Sequence, residues 1–133
     1  MARPASADSD RELISAARDA IVRNFDAVSE NHTVGAAVRC ANGNIYVGVN
    51  VYSLHGSCSE FIAIGTAITA GDREFVALAC VRGVDGDELL PPCGNCRQML
   101  NDYAPDCEVI VEGASGPIAV PARDLLPYAY RVE

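Results

Sequence analysis

Residues 91–97 read Pro91-Pro92-Cys93-Gly94-Asn95-Cys96-Arg97, and upstream stands Cys58-Ser59-Glu60. The two segments supply three thiols and one carboxylate that need not be a metal ligand. That is the inventory of a catalytic zinc centre: three protein donors, a fourth position left to water, and an acid/base group beside it.

Each piece alone has plainer readings. A Cys-x-x-Cys pair can be a redox dithiol or half of a structural zinc knuckle. A structural site normally takes four protein ligands, and Cys40, Cys80 and Cys107 are the remaining thiols. They stand singly inside apolar, β-branched runs, where a cysteine usually behaves as a small core hydrophobe. A thioredoxin-like pair would directly follow a strand near the start of the domain, whereas this one lies late and behind two prolines. The catalytic arrangement is therefore the expectation.

The spacing constrains the local structure. Pro91-Pro92 ends an extended segment, and Cys93 opens a helix through Met99, Leu100 and Tyr103. Cys93 and Cys96 are i and i+3 and share a helical face. Cys58 and Glu60 would point about 200° apart in mid-helix. They converge only if Cys58 sits at the start of a helix running through Glu60-Phe61-Ile62-Ala63-Ile64. Two helix N-termini then face one metal, and their free N–H groups and positive dipole ends favour thiolate. A glutamate beside zinc-activated water is placed to carry protons from the water to a ring nitrogen and to a departing amine. The plainer role for Glu60 is to complement the helix dipole.

Around these motifs the chain alternates helix and strand. Ser9 or Asp10 can cap a helix with Leu13, Ile14, Ala17, Ile21 and Phe25 at helical spacing. Thr33 to Cys40 and Ile45 to Val51 are β-rich and meet at Ala41-Asn42-Gly43-Asn44, a hairpin signal. Further strands are expected near Phe75 to Val81 and Glu108 to Val111, a turn at Gly113 to Gly116, and a short helix within Pro121 to Pro127. The order predicts a single α/β domain over residues 1–133, a three-layer α/β/α sandwich around a mixed sheet of the five-stranded type. One antiparallel hairpin is followed by parallel crossovers, and residues 1–8 are expected to fray.

Half of the 133 residues are hydrophobic, enough for a real core, and the formal net charge is −8. The sequence pI is about 4.6. Nucleic-acid binders carry basic faces, so DNA and RNA are not expected as partners. A small neutral or cationic substrate fits better. Six cysteines without a signal peptide point to a reducing, cytoplasmic setting, and no apolar run reaches membrane-spanning length.

Over nearly its whole length the chain resembles the cytidine deaminase superfamily. Val34-Gly35-Ala36-Ala37 resembles the family's first strand, Gly48-Val49-Asn50-Val51 its second, and Pro92-Cys93-Gly94-Asn95-Cys96-Arg97-Gln98 its Pro-Cys-Gly-x-Cys-Arg-Gln motif. Within the superfamily it is most similar to the blasticidin S deaminase branch, through Gly48 to Tyr52, the short loop to Cys58, and Leu125-Leu126-Pro127 followed by Tyr130. The resemblance implies an α/β/α fold, hydrolytic deamination, Zn²⁺ held by Cys58, Cys93 and Cys96, Glu60 as the proton carrier, and a homotetramer. It supports Asn50 as a substrate contact.

Three departures bear on substrate and charge. Where ordinary cytidine deaminases carry a ribose-binding Glu, this chain has Tyr52. Their Arg after the catalytic Glu is here Phe61, and the Arg that blasticidin S deaminase carries between its last two zinc cysteines is here Asn95. Either helix dipoles balance the thiolates or another cation, such as Arg82, moves in. His55, just before the first ligand, can line the pocket or lie on the surface, and His32 is expected at the pocket edge or in solvent. Tyr128 and Tyr130 can close a neighbouring subunit's pocket or simply pack. Blasticidin-type cytosine nucleosides, free aminopyrimidines or aminotriazines, and cytidine compete as substrates, with cytidine expected to be poor. The non-enzymatic alternative is a zinc-stabilised binding domain, for which Glu60 would have no use.

Overall fold

The computed structural model describes residues 2–131. Its elements run β1 (Arg3–Pro4), α1 (Asp8–Asn24), β2 (Val34–Cys40), β3 (Ile45–Val49), α2 (Ser59–Thr69), β4 (Phe75–Arg82), β5 (Glu88–Leu89), α3 (Gly94–Tyr103), β6 (Glu108–Gly113) and β7 (Gly116–Pro121), closing with a 3₁₀ turn at Ala122–Leu125. The sheet order is β1-β7-β6-β4-β2-β3, with the short β5 alongside the end of β4.

Alternation along the strands divides the core into two halves. Ala37, Ala79, Val81, Ile110 and Ala119 face α1, where Leu13, Ala17 and Ile21 are buried. Ala36, Val38, Leu78, Cys80 and Val109 face the other way and pack with Ala63, Ile64 and Ala67 of α2 and Met99 and Leu100 of α3. These are the three layers expected from the sequence. Cys40, Cys80 and Cys107 are all buried among apolar neighbours. The small residues on the central strands let the helices sit close. At Gly48 of β3 an added Cβ would lie 2.5 Å from the backbone nitrogen of Ala63, so α2 rests directly on the strand backbone. No helix among the described residues is long and apolar enough to cross a membrane.

The structure corrects the reading at several points. Arg3 and Pro4, within the stretch expected to fray, are ordered: β1 pairs with β7, and Arg3 grips Asp10 through two bonds of 3.0 and 3.1 Å and Glu108 through two of 3.0 and 2.9 Å; Met1 lies outside the described residues. Asp10 is 1% exposed and also accepts the N–H of Ala7. Ala7, not Ser9 or Asp10, is therefore the N-cap, and Asp10 serves from inside the first turn. The residues after the expected turn form β7, antiparallel to β6, and the final helix shrinks to one 3₁₀ turn.

The crossovers are parallel, as expected, but the first skips a strand. The connection from β3 through α2 passes over β2, so β3 and β4 run parallel to each other while each pairs antiparallel with β2. The next connection, through α3, gives the parallel β4–β6 pair.

Candidate active site

Two helices begin at the same place. Cys58 is the N-cap of α2 and Cys93 the N-cap of α3, both in extended conformation. Cys96 lies one turn into α3 and is fully buried. The sulfurs of Cys58 and Cys93 are 3.5 Å apart, and all three Sγ atoms lie within 4.8 Å of one another. Thiolates at zinc–sulfur distances of about 2.3 Å around a tetrahedral ion would stand about 3.8 Å apart. The cluster fits zinc in both donor chemistry and spacing, and Cys58, Cys93 and Cys96 are the residues that would hold it.

The helix starts shape the acidity of these thiols. Burial opposes ionisation of Cys93, but the N–H of Cys96 leads a set of hydrogen bonds that outweighs it, and its thiol titrates below the ordinary value. Burial pushes Cys58 up, with the neighbouring Cys93 adding to the effect. Burial, then the charge of Glu60, pushes Cys96 up strongly. A divalent cation among the three sulfurs would offset both penalties, since a coordinating thiol is held deprotonated.

No arginine among the described residues hydrogen-bonds these sulfurs. Arg97 donates to the carbonyls of Pro92 (2.7 Å) and Leu125 (3.0 Å), bracing the segment before Cys93 against the C-terminal turn. Arg82 is paired with Glu88. Of the two alternatives left open by the sequence, the helix starts lie directly at the sulfurs, while Arg82 lines the same cleft but is engaged by Glu88.

A cleft of about 600 Å³ opens over this point, lined by Asn50, Tyr52, His55, Glu60 and Arg82 together with Cys58 and Cys93. Glu60 is 3% exposed and is the only carboxylate lining the cleft among the described residues. Asn50 is held at three atoms. Its Oδ1 accepts the N–H of Val34 (3.0 Å), its backbone N–H donates to the Val34 carbonyl (3.2 Å), and its carbonyl accepts Nδ1 of His32 (2.9 Å). What Asn50 can offer a ligand is therefore its Nδ2 donor group. His32 buttresses the rim through Asn50, and His55 and Tyr52 sit on the exposed loop of the mouth.

Tyr130 does not reach this cleft within its own chain. It is 74% exposed, and its carbonyl accepts from Gln98 (2.9 Å). Tyr128 lines a separate surface groove beside Tyr103 and Arg123. The sequence reading passed over Ser59 and gave Cys80 only a core role, yet the two stand beside Glu60. The Ser59 hydroxyl lies 3.2 Å from Oε1 of Glu60 and 3.4 Å from the Cys80 sulfur. The available signal was a polar residue set between a ligand and a carboxylate in an otherwise apolar helix.

Comparison with known proteins identifies the family. Residues 7–112 match the family described as the cytidine and deoxycytidylate deaminase zinc-binding region. The chain is 34% identical over 130 residues to the blasticidin-S deaminase of Bacillus cereus, covering 91% of each. It is 35% identical over 106 residues to a cytidine deaminase of Halalkalibacterium halodurans, covering 75% of this chain and 78% of that one. Among solved structures, the cytidine deaminase of Burkholderia pseudomallei superposes with a TM-score of 0.74 at 33% identity, over 90% of this chain and 98% of the other. That of Mycobacterium tuberculosis gives 0.76 at 28%, over 96% and 100%. With its thiol cluster at two helix starts and these relatives matched along most of its length, the chain belongs to the zinc-binding cytidine and deoxycytidylate deaminase family.

Proposed function

We propose that the protein is a zinc-dependent hydrolytic deaminase of aminated nitrogen heterocycles, with cytosine nucleosides of the blasticidin S type as its substrates. The observation that carries the substrate reading is the composition of the cleft. Among the described residues, Glu60, the carboxylate needed for proton transfer, has no second carboxylate beside it in the cleft to accept from a ribose diol, and Tyr52 stands at the mouth instead. Similarity to a blasticidin-S deaminase along 91% of both chains supports the same choice.

Bound zinc would supply the Lewis acidity that makes a water nucleophilic near neutral pH. Glu60 would take a proton from the attacking water and deliver it to the ring nitrogen, then take the proton of the hydroxyl so added to the ring carbon and deliver it to the exocyclic amine, whose C–N bond breaks to release ammonia. Nδ2 of Asn50 donates to an acceptor on the substrate, and Tyr52 and His55 close on the part of the ligand that projects from the cleft. Tyr130 would contribute only from a neighbouring copy, in a homotetramer. A tetrameric mass by light scattering is expected, and a monomer at micromolar concentration would contradict it.

Ammonia release measured across blasticidin S, cytidine, free aminopyrimidines and aminotriazines tests the substrate reading. The largest kcat/KM is expected for blasticidin S. Buried polar groups that lose a partner can discriminate by up to about 10⁴–10⁵, so a preference for cytidine would overturn the reading of Tyr52. Preference for a free heterocycle would mean that the cleft ignores the sugar altogether.

A further inference from the structure

Glu60 does not stand alone behind the cleft. Ser59, the first residue of α2, is 0% exposed, and its Oγ lies 3.2 Å from Oε1 of Glu60. On its other side the same Oγ lies 3.4 Å from Sγ of Cys80, itself 1% exposed. The direction of this chain follows from its chemistry. An ionised carboxylate only accepts, so the single hydroxyl proton of Ser59 goes to Glu60, and the thiol of Cys80 is the group that donates to Ser59. Cys80 is in turn fixed by the sheet: it pairs with Ala36 of β2, and its carbonyl accepts the N–H of Leu90 at 2.8 Å.

We propose that Ser59 is a positioning residue, whose hydroxyl, backed by Cys80, pins Oε1 of Glu60 so that Oε2 is the oxygen that exchanges protons with water and substrate. The proposal rests on the reading of Glu60 as the proton carrier. A carboxylate that serves water, ring nitrogen and leaving amine in turn must swing over a short arc without losing its place. Pinning one oxygen to the rigid sheet leaves the other free for that arc. It also makes Oε1 the poorer proton acceptor, because one of its two lone pairs is already engaged. A loosely held glutamate would spend part of its time in rotamers that reach none of the three atoms, and positional errors of this kind reduce turnover more than binding.

The test uses zinc-loaded Ser59→Ala, with Cys80→Ala as a second variant that removes only the outer link. Infrared difference spectra against Glu60→Gln isolate the carboxylate bands of Glu60 and require no substrate. In Ser59→Ala those bands should move and broaden, with a smaller change of the same sign in Cys80→Ala and zinc content unchanged in both. With a substrate from the panel, Ser59→Ala should lower kcat about ten- to a hundredfold, the range for a lost hydrogen bond to a charged group, while KM changes little. The kcat loss should vanish when the same change is made in a Glu60→Gln background. Unaltered carboxylate bands in Ser59→Ala would overturn the proposal, as would an equal loss of rate in that background. If wild-type protein deaminates none of the panel, the functional reading fails separately, and the infrared result alone decides whether Ser59 pins Glu60.

Discussion

The sulfurs of Cys58 and Cys93 lie 3.5 Å apart although 35 residues separate them in sequence, because each caps the first turn of a different helix and both helices lie on the same face of the sheet. An ion shared between them closes the segment that contains β4. Fixing a loop of that length costs roughly 4 kcal/mol of chain entropy in the unfolded state, so the ion is a cross-link as well as a reagent. One zinc per chain is expected by metal analysis. Cys58→Ala, Cys93→Ala and Cys96→Ala should each lose it and melt at lower temperature, while Cys40→Ala, altered only in the core, should keep it. Loss of zinc in Cys40→Ala would show that the ligand set is different.

Glu60→Gln should retain fold and zinc and lose nearly all turnover. General acid/base groups are worth about 10²–10⁴-fold, and the proposed mechanism gives this one several proton transfers. A variant that keeps more than about a tenth of the wild-type rate would remove Glu60 from the proton-carrying role.

Gly48→Ala should damage the site from a distance. The added methyl would meet the backbone nitrogen of Ala63 at 2.5 Å and the side chain of Ile62 at 2.8 Å. Backbone cannot retreat as a flexible side chain can, so α2 must shift, and Cys58 and Glu60 shift with it. Overpacking of this kind costs about 1–3 kcal/mol. Lower zinc affinity together with a lower melting temperature is expected, and a variant unchanged in both would mean that α2 is free to slide.

The N-terminal clamp should show in the acid stability of the protein. Hydrogen bonds from Arg3 hold the carboxyl of Asp10 below its ordinary value of 3.8. A carboxyl lowered in the folded state adds stability above its unfolded value, and that stability is lost as pH falls through the folded one. Wild type should therefore lose stability progressively below about pH 3.8. Asp10→Asn should be less stable at neutral pH and flatter toward acid. Arg3→Ala, which leaves a buried acceptor short of its partner, should cost about 1–3 kcal/mol. Urea unfolding as a function of pH checks both, since the metal site contributes equally to each protein.

The parts of the fold that rest on local rules were legible in the sequence. Proline before Cys93, and the need for Cys58 and Glu60 to converge, placed both helix starts, and Asn42-Gly43 placed the hairpin. What escaped depends on contacts made far along the chain. A two-residue strand such as β1 has no periodicity to read, and its partner is β7, which carries Pro117 and Pro121 near its ends, where a sheet tolerates a missing N–H. The pairing of β4 with β2 followed from which strand α2 crosses, a matter of packing over Gly48 that no spacing rule encodes. At the site, the thiols and Glu60 were readable from motif chemistry. Ser59 was passed over because its role depends on Cys80, which reads as core until the two are seen side by side.

The loop at the cleft mouth folds back on itself. Val51 and Ser57 exchange backbone hydrogen bonds of 3.0 and 3.1 Å, and inside that bridge Gly56 donates to the Ser53 carbonyl at 3.1 Å, in a turn where a Cβ on Gly56 would lie 2.4 Å from the Val51 carbonyl oxygen. Tyr52, Leu54 and His55 ride on this closed excursion, whereas Cys58 begins only after the bridge has been made. The stretch that meets the outer part of a ligand is thus an interchangeable cassette, clipped at its base. Its length and side chains can be exchanged between the two bridge residues while the metal end stays in register, so the mouth can be remodelled without rebuilding the thiol cluster behind it.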